Sequence, residues 1–208
     1  MRGAIFGSSD EGGLAHIKKY MPFDFVVCAD GGMQYAHALG LSPDLLVGDF
    51  DSGGAPEDGV PVLSLPVAKD VTDLEAALDA AIERGVRELF LFGCSGGRLD
   101  HFLANVFLLE RAEKRGAPAV LVNAQNELRY LRNGELAFLK GGDFTYLSLV
   151  PIDERITGVD ITGVRFPLDN ATLDRSGTLG ISNQITDDIA TVRVRSGAAI
   201  VILSRDSA

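Results

Sequence analysis

Residues 89–100 read LFLFGCSGGRLD, and they are the clearest guide to the architecture of this 208-residue chain. The apolar run at 89–92 is typical of a strand that is buried on both faces of a sheet. A glycine-rich loop follows, and apolar residues then recur at spacings of three and four over 100–115, which predicts an amphipathic helix. A strand followed by a loop and a helix is the first half of a βαβ unit, whose parallel strands are covered by helices.

The same alternation extends over the first part of the chain. Further buried strands are predicted at 4–6, 25–29, 45–48 and 119–122, and a second helix is predicted at 72–84. Repetition of strand, helix and strand is typical of a parallel sheet covered by helices. We therefore predict an N-terminal three-layer α/β domain over residues 1–124.

Beyond residue 124 the pattern changes to short β-type runs. These runs lie at 144–149, 189–195 and 198–203 and are separated by Gly-rich and Asn-rich breaks. Ser196-Gly197 is a two-residue turn signal between the last two runs. No long helical period appears, so we predict a small C-terminal β-sandwich domain over residues 125–208.

The composition is that of a folded, acidic protein. Apolar residues make up 46% of the chain, and 29 Asp and Glu against 19 Lys and Arg give a formal net charge of −10. This balance argues against nucleic-acid binding, because such proteins concentrate Lys and Arg. The chain shows neither a signal-peptide pattern nor an apolar run near the roughly 20 residues of a membrane helix, so we expect a cytoplasmic protein with no membrane partner. Cys28 and Cys94 lack metal-ligand spacing and are interpreted as core residues.

Carboxylates follow the predicted strands at one edge of the sheet. In parallel α/β sheets, ligands bind beyond the carboxyl ends of the strands, where the connecting loops meet. Six aspartates are therefore expected to converge at this edge: Asp30, Asp49, Asp51, Asp70, Asp73 and Asp100.

Asp49 and Asp51 form the most suggestive pair. In an extended segment, residues two apart point the same way, and Phe50 between them points back toward apolar packing. Two neighbouring carboxylates repel each other unless a cation lies between them or one takes a proton. Mg²⁺ prefers such oxygen ligands together with substrate phosphates. The alternative interpretation is a solvated Asp-rich turn.

The segment that precedes the second helix has a structural and a chemical interpretation. Thr72 and Glu75 match a capping box, and Asp73 in the first turn suits the helix dipole. Capping does not account for Lys69 or Asp70. A Lys beside carboxylates at a strand edge is typical of a polyphosphate site, where it supplies a point charge.

The loop Ser95-Gly96-Gly97-Arg98 opens a helix N-terminus and favours phosphate binding. Its backbone N–H groups can approach a phosphate closely, and Arg98 can donate two hydrogen bonds to phosphate oxygens. The loop matches neither the Walker A motif nor the dinucleotide fingerprint, and it lacks the nucleophile elbow of serine hydrolases. His101 is interpreted as a residue of the helix start rather than a base.

Four motifs, in this order and with approximately this spacing, resemble those of thiamine pyrophosphokinases. They are Ala29-Asp30-Gly31-Gly32, then Pro43-Asp44 with Gly48-Asp49-Phe50-Asp51-Ser52, then Lys69-Asp70-Val71-Thr72-Asp73-Leu74-Glu75, and finally Gly96-Gly97-Arg98-Leu99-Asp100-His101 with Asn105. A later segment, Thr178-Leu179-Gly180-Ile181-Ser182-Asn183, resembles the Ser-Asn motif of the family. The resemblance implies an enzyme that moves a pyrophosphoryl group from ATP to thiamine and releases AMP. It also implies dependence on Mg²⁺ and a homodimer with thiamine in a cleft between subunits.

The resemblance further implies roles for individual residues. The Mg²⁺ ligands would be Asp49, Asp51, Asp70 and Asp73. The ATP site in the first domain would comprise Lys69, Ser95, Gly96, Gly97, Arg98 and Asn105. The thiamine contacts would be Asp30, Asp100, Ser182 and Asn183, the last two reaching the site of the other protomer from the dimerising β-domain. The catalytic set would be the four metal-binding aspartates with Arg98 and Asp100, where Asp100 orients thiamine or accepts its hydroxyl proton.

One departure from the family is visible in the sequence. Some members have a Trp shortly after the Ser-Asn pair that contacts thiamine, whereas this chain contains no Trp. Gln184 and Ile185 occupy the corresponding neighbourhood.

Three alternative functions share these residues. The first is pyrophosphoryl transfer to another alcohol, such as a hydroxymethylpterin, and it would change only the acceptor pocket. The second is a metal-dependent nucleotide hydrolase, in which water is the acceptor. The third is a nucleotide sensor that binds ATP without reaction.

Overall fold

The computed structural model describes residues 1–11, 13–49, 59–65, 70–140 and 143–206. The predictions for Asp51 and Lys69 lie outside these residues. The chain divides into two compact units, Met1–Ala124 and Gln125–Ala208.

The first unit contains a parallel sheet. Its strands are β1 (Arg2–Phe6), β2 (Phe25–Ala29), β3 (Leu45–Gly48), β4 (Val62–Ser64), β5 (Glu88–Phe92) and β6 (Ala119–Val122). They lie in the order β6-β5-β1-β2-β3-β4, and every neighbouring pair is parallel. The five predicted strands are confirmed. The short strand β4 was missed because its side chains are exposed or half-buried, so it leaves no apolar run in the sequence.

Three α-helices accompany this sheet in the described residues: α1 (Met33–Ala38), α2 (Asp73–Glu83) and α3 (Leu99–Lys114). The two predicted helices, α2 and α3, are confirmed to within two residues at each end. A charged cluster joins them, because Asp79 accepts hydrogen bonds from Arg111 at 2.9 and 2.6 Å and is also paired with Arg115. None of the helices in the described part of the chain has the length and hydrophobicity of a membrane span.

Aromatic rings make up much of the core of the first unit. Phe6 stacks on Phe92 with ring centroids 5.4 Å apart, and Tyr20 lies 5.2 Å from Phe90. Such pairs bury large apolar surfaces at the strands that lead to the carboxyl edge of the sheet. Both cysteines are buried and form no disulfide, in agreement with their interpretation as core residues.

The second unit is a β-sandwich of two antiparallel sheets. Its strands are β7 (Asn126–Arg132), β8 (Glu135–Leu139), β9 (Tyr146–Pro151), β10 (Arg155–Thr162), β11 (Leu168–Asp174), β12 (Asn183–Gln184), β13 (Ile189–Ser196) and β14 (Ala198–Ser204). One sheet has the order β12-β9-β14-β7 and the other β11-β10-β13-β8. Leu149 and Val201 from the first sheet and Val159 and Val192 from the second belong to one buried cluster, which confirms the predicted sandwich.

The predicted turn at Ser196-Gly197 joins strands of different sheets. β13 pairs with β10 and β8, whereas β14 pairs with β7 and β9. Gly197 has a φ of +109°, and a Cβ atom there would lie 2.7 Å from Cγ2 of Ile156. A glycine is needed at this position because the chain crosses from one layer to the other in tight contact with the core.

Candidate active site

The strand order of the first unit creates a topological switch point between β1 and β5. From β1 the chain continues to β2, β3 and β4 on one side, whereas β5 and β6 lie on the other side of β1. In open parallel sheets, ligands bind in the crevice beyond the carboxyl ends of the strands at this point. The loops that follow β1 and β5 therefore border the crevice in which a ligand is expected.

Two glycines bring these loops into direct backbone contact. The Gly7 N–H donates to the Phe92 carbonyl at 2.8 Å, and the Ser9 N–H donates to the Gly93 carbonyl at 3.0 Å. A Cβ atom at Gly7 would lie 2.5 Å from the Gly93 carbonyl oxygen. Any side chain at Gly7 would therefore force the two loops apart.

Glu11 is a residue of this region that the sequence analysis did not identify. Its carboxylate accepts hydrogen bonds from the N–H groups of Gly93 (2.8 Å), Cys94 (2.9 Å) and Ser95 (2.8 Å) and from the Ser95 hydroxyl (2.6 Å). Burial raises the pKa of Glu11 above its ordinary value, although the hydrogen bonds act in the opposite direction. The only sequence signal was an acidic residue after the first strand, on the edge where the other acidic residues collect.

A cavity of about 510 Å³ opens beside the same loops. Its volume is in the range typical of small-molecule sites. Residues from the loops after β1, β2 and β5 and from the start of α2 line it, and the predicted site residues among them are Asp30, Asp73, Gly96, Gly97, Arg98 and Asn105. The structure thus brings two of the predicted carboxylates to the same cavity as the glycine-rich loop.

Asp30 links the ends of β2 and β3. It has a φ of +49° at the point where β2 turns into a short 3-10 helix. A Cβ atom at Gly48 would lie 3.1 Å from Oδ1 of Asp30, so the Asp30 carboxylate lies directly against the end of β3. Asp49 follows Gly48, and the predicted Asp30 and Asp49 therefore belong to adjacent strand ends.

Thr72 and Asp73 have the roles expected of a helix start. The Thr72 hydroxyl oxygen accepts a hydrogen bond from the Glu75 N–H at 3.2 Å, so this half of the predicted capping box is formed. The Glu75 carboxylate lies 3.1 Å from Arg111 of α3. Asp73 stands in the first turn of α2 and also lines the cavity, so capping of this helix and a role in the site are compatible.

Arg98 and Asp100 form an exposed ion pair at the start of α3. Nε and Nη2 of Arg98 donate to the two carboxylate oxygens of Asp100 at 3.2 and 2.6 Å. The hydrogen bonds from Arg98 hold the pKa of Asp100 below its usual range. Asp100 is not among the residues that line the cavity, and it contacts two residues that do: Arg98 and, through the N–H at 3.0 Å, His101.

Ser95 and Asn105 support the loop between β5 and α3. The Ser95 hydroxyl donates to Glu11 and accepts a hydrogen bond from Nδ2 of Asn123 at 2.8 Å. The buried Asn105 donates from Nδ2 to the Cys94 carbonyl at 2.8 Å. These polar groups shape the main chain that leads to Gly96 and Gly97.

The donor atoms at the cavity suit a hard cation such as Mg²⁺. Within the described ranges, no three Asp, Glu, His or Cys side chains are grouped as a metal site. Mg²⁺ commonly takes only one or two protein carboxylates and completes its shell with phosphate oxygens and water. Asp73 lines the cavity, and Asp70 immediately precedes the lining residue Val71. Asp49 follows Gly48, which lies against the Asp30 carboxylate. The residues present therefore fit a magnesium ion shared with a polyphosphate.

The predicted Ser-Asn pair lies in the second unit. Ser182 has a φ of +54°, and its N–H donates to the Ser148 hydroxyl at 2.9 Å. The buried Asn183 accepts a hydrogen bond from the Phe166 N–H at 2.9 Å and donates to the Phe166 carbonyl at 2.6 Å. The Asn183 side chain is thus used to connect two segments of the sandwich.

Comparison with known families decides what kind of protein this site belongs to. Residues 19–121 match the family described as "Thiamin pyrophosphokinase, catalytic domain", and residues 135–200 match "Thiamin pyrophosphokinase, vitamin B1 binding domain". The chain belongs to the thiamine pyrophosphokinase family. The resemblance predicted from the sequence motifs is confirmed.

Individual thiamine pyrophosphokinases are similar over nearly the whole chain. The thiamine pyrophosphokinase of Bacillus subtilis (strain 168) is 35% identical over 173 residues, which are 80% of this chain and 81% of the relative. Crystal structures of the thiamine pyrophosphokinases of Bacillus subtilis and Geobacillus thermodenitrificans align with TM-scores of 0.91 and 0.89 at 29% and 32% identity. The first alignment covers 100% of both chains, and the second covers 100% of this chain and 99% of the other. The predicted fold class and the prediction of a thiamine pyrophosphokinase, a transferase of the kinase type, are confirmed.

Proposed function

We propose that this member of the thiamine pyrophosphokinase family transfers the pyrophosphoryl group of ATP to the hydroxyl group of thiamine and produces thiamine diphosphate and AMP. The observation that carries the proposal is the cavity at the switch point, where Asp30 and Asp73 share one space with Gly96, Gly97 and Arg98. Carboxylates, glycine N–H groups and a guanidinium are the groups that a metal-bound triphosphate requires. The family matches to both units support thiamine as the acceptor.

The proposed reaction is a direct transfer from ATP to the thiamine hydroxyl oxygen. The thiamine hydroxyl oxygen forms a bond to the β-phosphorus of ATP, the bond from that phosphorus to the oxygen bridging to the α-phosphate breaks, and AMP leaves with that oxygen. Transfer of this kind depends on alignment of the two substrates and on stabilisation of the negative charge that spreads over the phosphate oxygens. No covalent intermediate with the protein is needed.

We assign the phosphates to the loop before α3. Gly96 and Gly97 line the cavity, and their N–H groups are placed beside the N-terminal end of the 16-residue helix α3, where the helix dipole favours an anion. Asp100 holds the Arg98 guanidinium through Nε and Nη2, so the remaining N–H groups of Arg98 are the ones that we assign to phosphate oxygens. We assign Lys69, Ser95 and Asn105 to the same ATP site, Ser95 and Asn105 through their support of the loop.

Mg²⁺ is the metal that suits the acidic side of this cavity. We assign Asp49, Asp51, Asp70 and Asp73 as the residues that hold it, directly or through water. When bound, Mg²⁺ would neutralise part of the charge on the phosphate oxygens. The four carboxylates would supply oxygen ligands to this cation and balance its positive charge.

Asp100 is better suited to orient groups than to remove a proton. Its hydrogen bonds from Arg98 lower its pKa, and a carboxylate with a lowered pKa is a weaker base at neutral pH. We therefore assign to Asp100 the orientation of Arg98 and of the thiamine hydroxyl. The hydroxyl proton then passes to water or to a phosphate oxygen.

We propose that thiamine is bound by Asp30 in the first unit and by Ser182 and Asn183 of a second copy of the chain. The cationic thiazolium ring suits a cavity lined by carboxylates. The family match to the vitamin B1 binding domain over residues 135–200 supports a thiamine contact in the second unit. The homodimer rests on the resemblance of the sequence motifs to the family. Because the chain has no Trp, thiamine must be packed here by other side chains than in relatives that use one.

The test is an assay for AMP and thiamine diphosphate with purified protein, ATP and Mg²⁺. We expect AMP to appear only when thiamine is added, in equal amount to thiamine diphosphate. AMP or ADP release without thiamine would instead indicate a hydrolase, activity only with a hydroxymethylpterin would indicate another acceptor, and no AMP under any condition would indicate a nucleotide sensor. The Asp51→Asn variant should lose turnover at saturating Mg²⁺, and unchanged turnover would refute the metal assignment.

A further inference from the structure

The Glu11 carboxylate fastens the loop after β5 to the loop after β1. Three successive N–H groups, those of Gly93, Cys94 and Ser95, converge on this one side chain at 2.8 to 2.9 Å, and the Ser95 hydroxyl adds a bond of 2.6 Å. The residues that are joined are 82 to 84 positions apart in the chain. Such a contact does not arise from local structure, because only the folded sheet brings strands β1 and β5 side by side.

The carbonyl groups of the same loop are held from the other side. Ser9 binds the Gly93 carbonyl through its N–H at 3.0 Å and the Gly96 carbonyl through its hydroxyl at 3.2 Å. Asn105 donates to the Cys94 carbonyl at 2.8 Å. The main chain from 93 to 96 is therefore fixed on both its donor and acceptor sides, and Glu11 supplies the donor side.

This arrangement resembles an anion-binding nest that the protein fills with its own carboxylate. Successive backbone N–H groups that point at one anion are the means by which many loops bind phosphate. Here those of Gly93, Cys94 and Ser95 are directed to Glu11, so a nucleotide phosphate is left to the residues that come next along the chain. Those residues are Gly96, Gly97 and Arg98, and all three line the 510 Å³ cavity.

We infer that Glu11 is a positioning residue for the nucleotide: by holding the main chain at 93–95 it sets Gly96, Gly97 and Arg98 at the distance and orientation that the phosphates of ATP require. The inference rests on the proposed function for the identity of the nucleotide. It does not make Glu11 a catalytic residue, since its carboxylate binds the loop and not the substrate.

The negative charge of Glu11 is essential to this role. A protonated carboxyl group carries a hydrogen on one oxygen and cannot accept from all four donors at once. Burial raises the pKa of Glu11, so protonation occurs at a higher pH than for an exposed glutamate. Other titratable groups lie around it. Asp10, His16 and Tyr35 of α1 line a cavity of about 260 Å³ together with Glu11. Cys94 is in the loop that Glu11 binds, and its N–H is one of the four donors.

The experiment compares wild type, Glu11→Gln and the control Glu113→Gln in steady-state kinetics from about pH 5 to pH 8. Glu113 is an exposed glutamate of α3, so the control removes the same charge without touching the loop. For Glu11→Gln at neutral pH we expect kcat/KM for ATP to fall roughly 10- to 100-fold, the scale of a misplaced binding group. The KM for thiamine should change by less than about twofold. A fall in kcat/KM for ATP in Glu11→Gln that is absent from Glu113→Gln supports the inference. An unchanged kcat/KM for ATP in Glu11→Gln refutes it.

The pH profile separates positioning from a general loss of structure. In wild type and in Glu113→Gln, kcat/KM for ATP should decrease as the pH falls through the raised pKa of Glu11, because the loop loses an acceptor. In Glu11→Gln this acid limb should be missing. If all three proteins show the same acid limb, the limb belongs to another group and the inference is wrong.

A second measurement covers the case in which Glu11→Gln is poorly folded. Amide hydrogen exchange of the wild-type protein, measured on both sides of the acid limb and corrected for the intrinsic pH dependence of exchange, should show lower protection at 93–97 on the acid side, with β6 protected throughout. Equal protection of 93–97 on both sides of the acid limb would refute the inference. If wild type has no thiamine-dependent activity, the proposed function fails, and direct titration of each variant with ATP still tests whether Glu11 governs nucleotide binding.

Discussion

Nε and Nη2 of Arg98 bind the two carboxylate oxygens of Asp100 at 3.2 and 2.6 Å, so two of the predicted site residues are partners of each other. The pair stands at the first residues of α3, directly after Gly96 and Gly97. A two-point contact of this kind fixes the plane of the guanidinium, which a single hydrogen bond does not. The pair therefore orients Arg98 before any substrate is bound.

Replacement of Arg98 by Lys tests this orientation. We expect Arg98→Lys to lower kcat/KM for ATP about tenfold or more, because an ammonium cannot keep a two-point contact with Asp100 and also bind phosphate, and one charge-assisted hydrogen bond is worth about 1.5 kcal/mol. The melting temperature should not change measurably, since the pair is exposed. The control is Arg155→Lys, which alters the similarly exposed Arg155–Asp174 pair in the second unit. Equal kinetic effects in both variants would contradict the assignment of Arg98 to ATP.

The N-cap of α2 makes a separate prediction about stability. Thr72→Ala removes the hydroxyl oxygen that accepts from the Glu75 N–H and should lower the free energy of unfolding by about 1 kcal/mol. Thr72→Ser keeps the hydroxyl and should retain most of that stability. Urea unfolding followed by circular dichroism measures both variants, and equal stability of Thr72→Ala and wild type would show that the cap contributes nothing.

The charged cluster between α2 and α3 predicts a pH-dependent contribution to stability. Burial alone would raise the pKa of Asp79, but hydrogen bonds from Arg111 and Arg115 outweigh that effect and hold the pKa below its ordinary value. A lowered pKa in the folded state stabilises the protein above the pKa of the unfolded chain, and this stabilisation is lost as the pH falls through the folded-state pKa.

We expect Asp79→Asn to lower the free energy of unfolding by about 1 kcal/mol at neutral pH, an amount that allows for solvent around the half-exposed Arg111. The difference from wild type should shrink toward zero in acid, where Asp79 of the wild type is also neutral. Glu113→Gln, at an exposed site of α3, serves as the control and should stay near wild type at every pH. A difference in the free energy of unfolding that grows in acid would contradict a lowered pKa of Asp79 in the folded protein.

Asn183 connects segments of the sandwich through Phe166, and this predicts a structural role that can be separated from ligand binding. Asn183→Ala leaves the Phe166 N–H and carbonyl without their partner and should lower the free energy of unfolding by about 1–3 kcal/mol. Gln184→Ala, at the exposed neighbouring position on β12, should change it by less than about 0.5 kcal/mol. If Asn183→Ala is as stable as wild type, the structural role is refuted, whatever the effect of the substitution on thiamine binding.

Much of the α/β unit could be predicted because its signals are local. The strands at 25–29, 45–48 and 89–92 are short apolar runs, and apolar runs of this length are typical of strands buried on both faces. The strand β4 was not predicted because its side chains are not fully buried and so form no apolar run. The turn at Ser196-Gly197 was visible as a turn, but whether its strands share a sheet depends on which layer each strand joins.

The candidate site was predictable in its residue types and only in part in its contacts. Asp30, Asp73 and the Gly96-Gly97-Arg98 loop could be predicted to approach each other, because all of them follow strands or begin helices at the same edge of a parallel sheet. Glu11 could not be distinguished from an ordinary surface glutamate. The four hydrogen bonds that define it are made with residues more than 80 positions away.

The amino-acid order alone determined the periodicities, the division into an α/β and a β unit, and the motifs whose chemistry is that of thiamine pyrophosphokinases. Only the tertiary structure decided which polar groups are partners: Glu11 with the N–H groups at 93–95, Arg98 with Asp100, and Asn183 with Phe166. The physical reason is the range of the interactions. Burial patterns and helix caps depend on neighbours within one turn or one strand, so they are visible in the sequence. Hydrogen-bond partners across the sheet are far apart in the sequence and meet only when the chain has folded, so no local pattern identifies them.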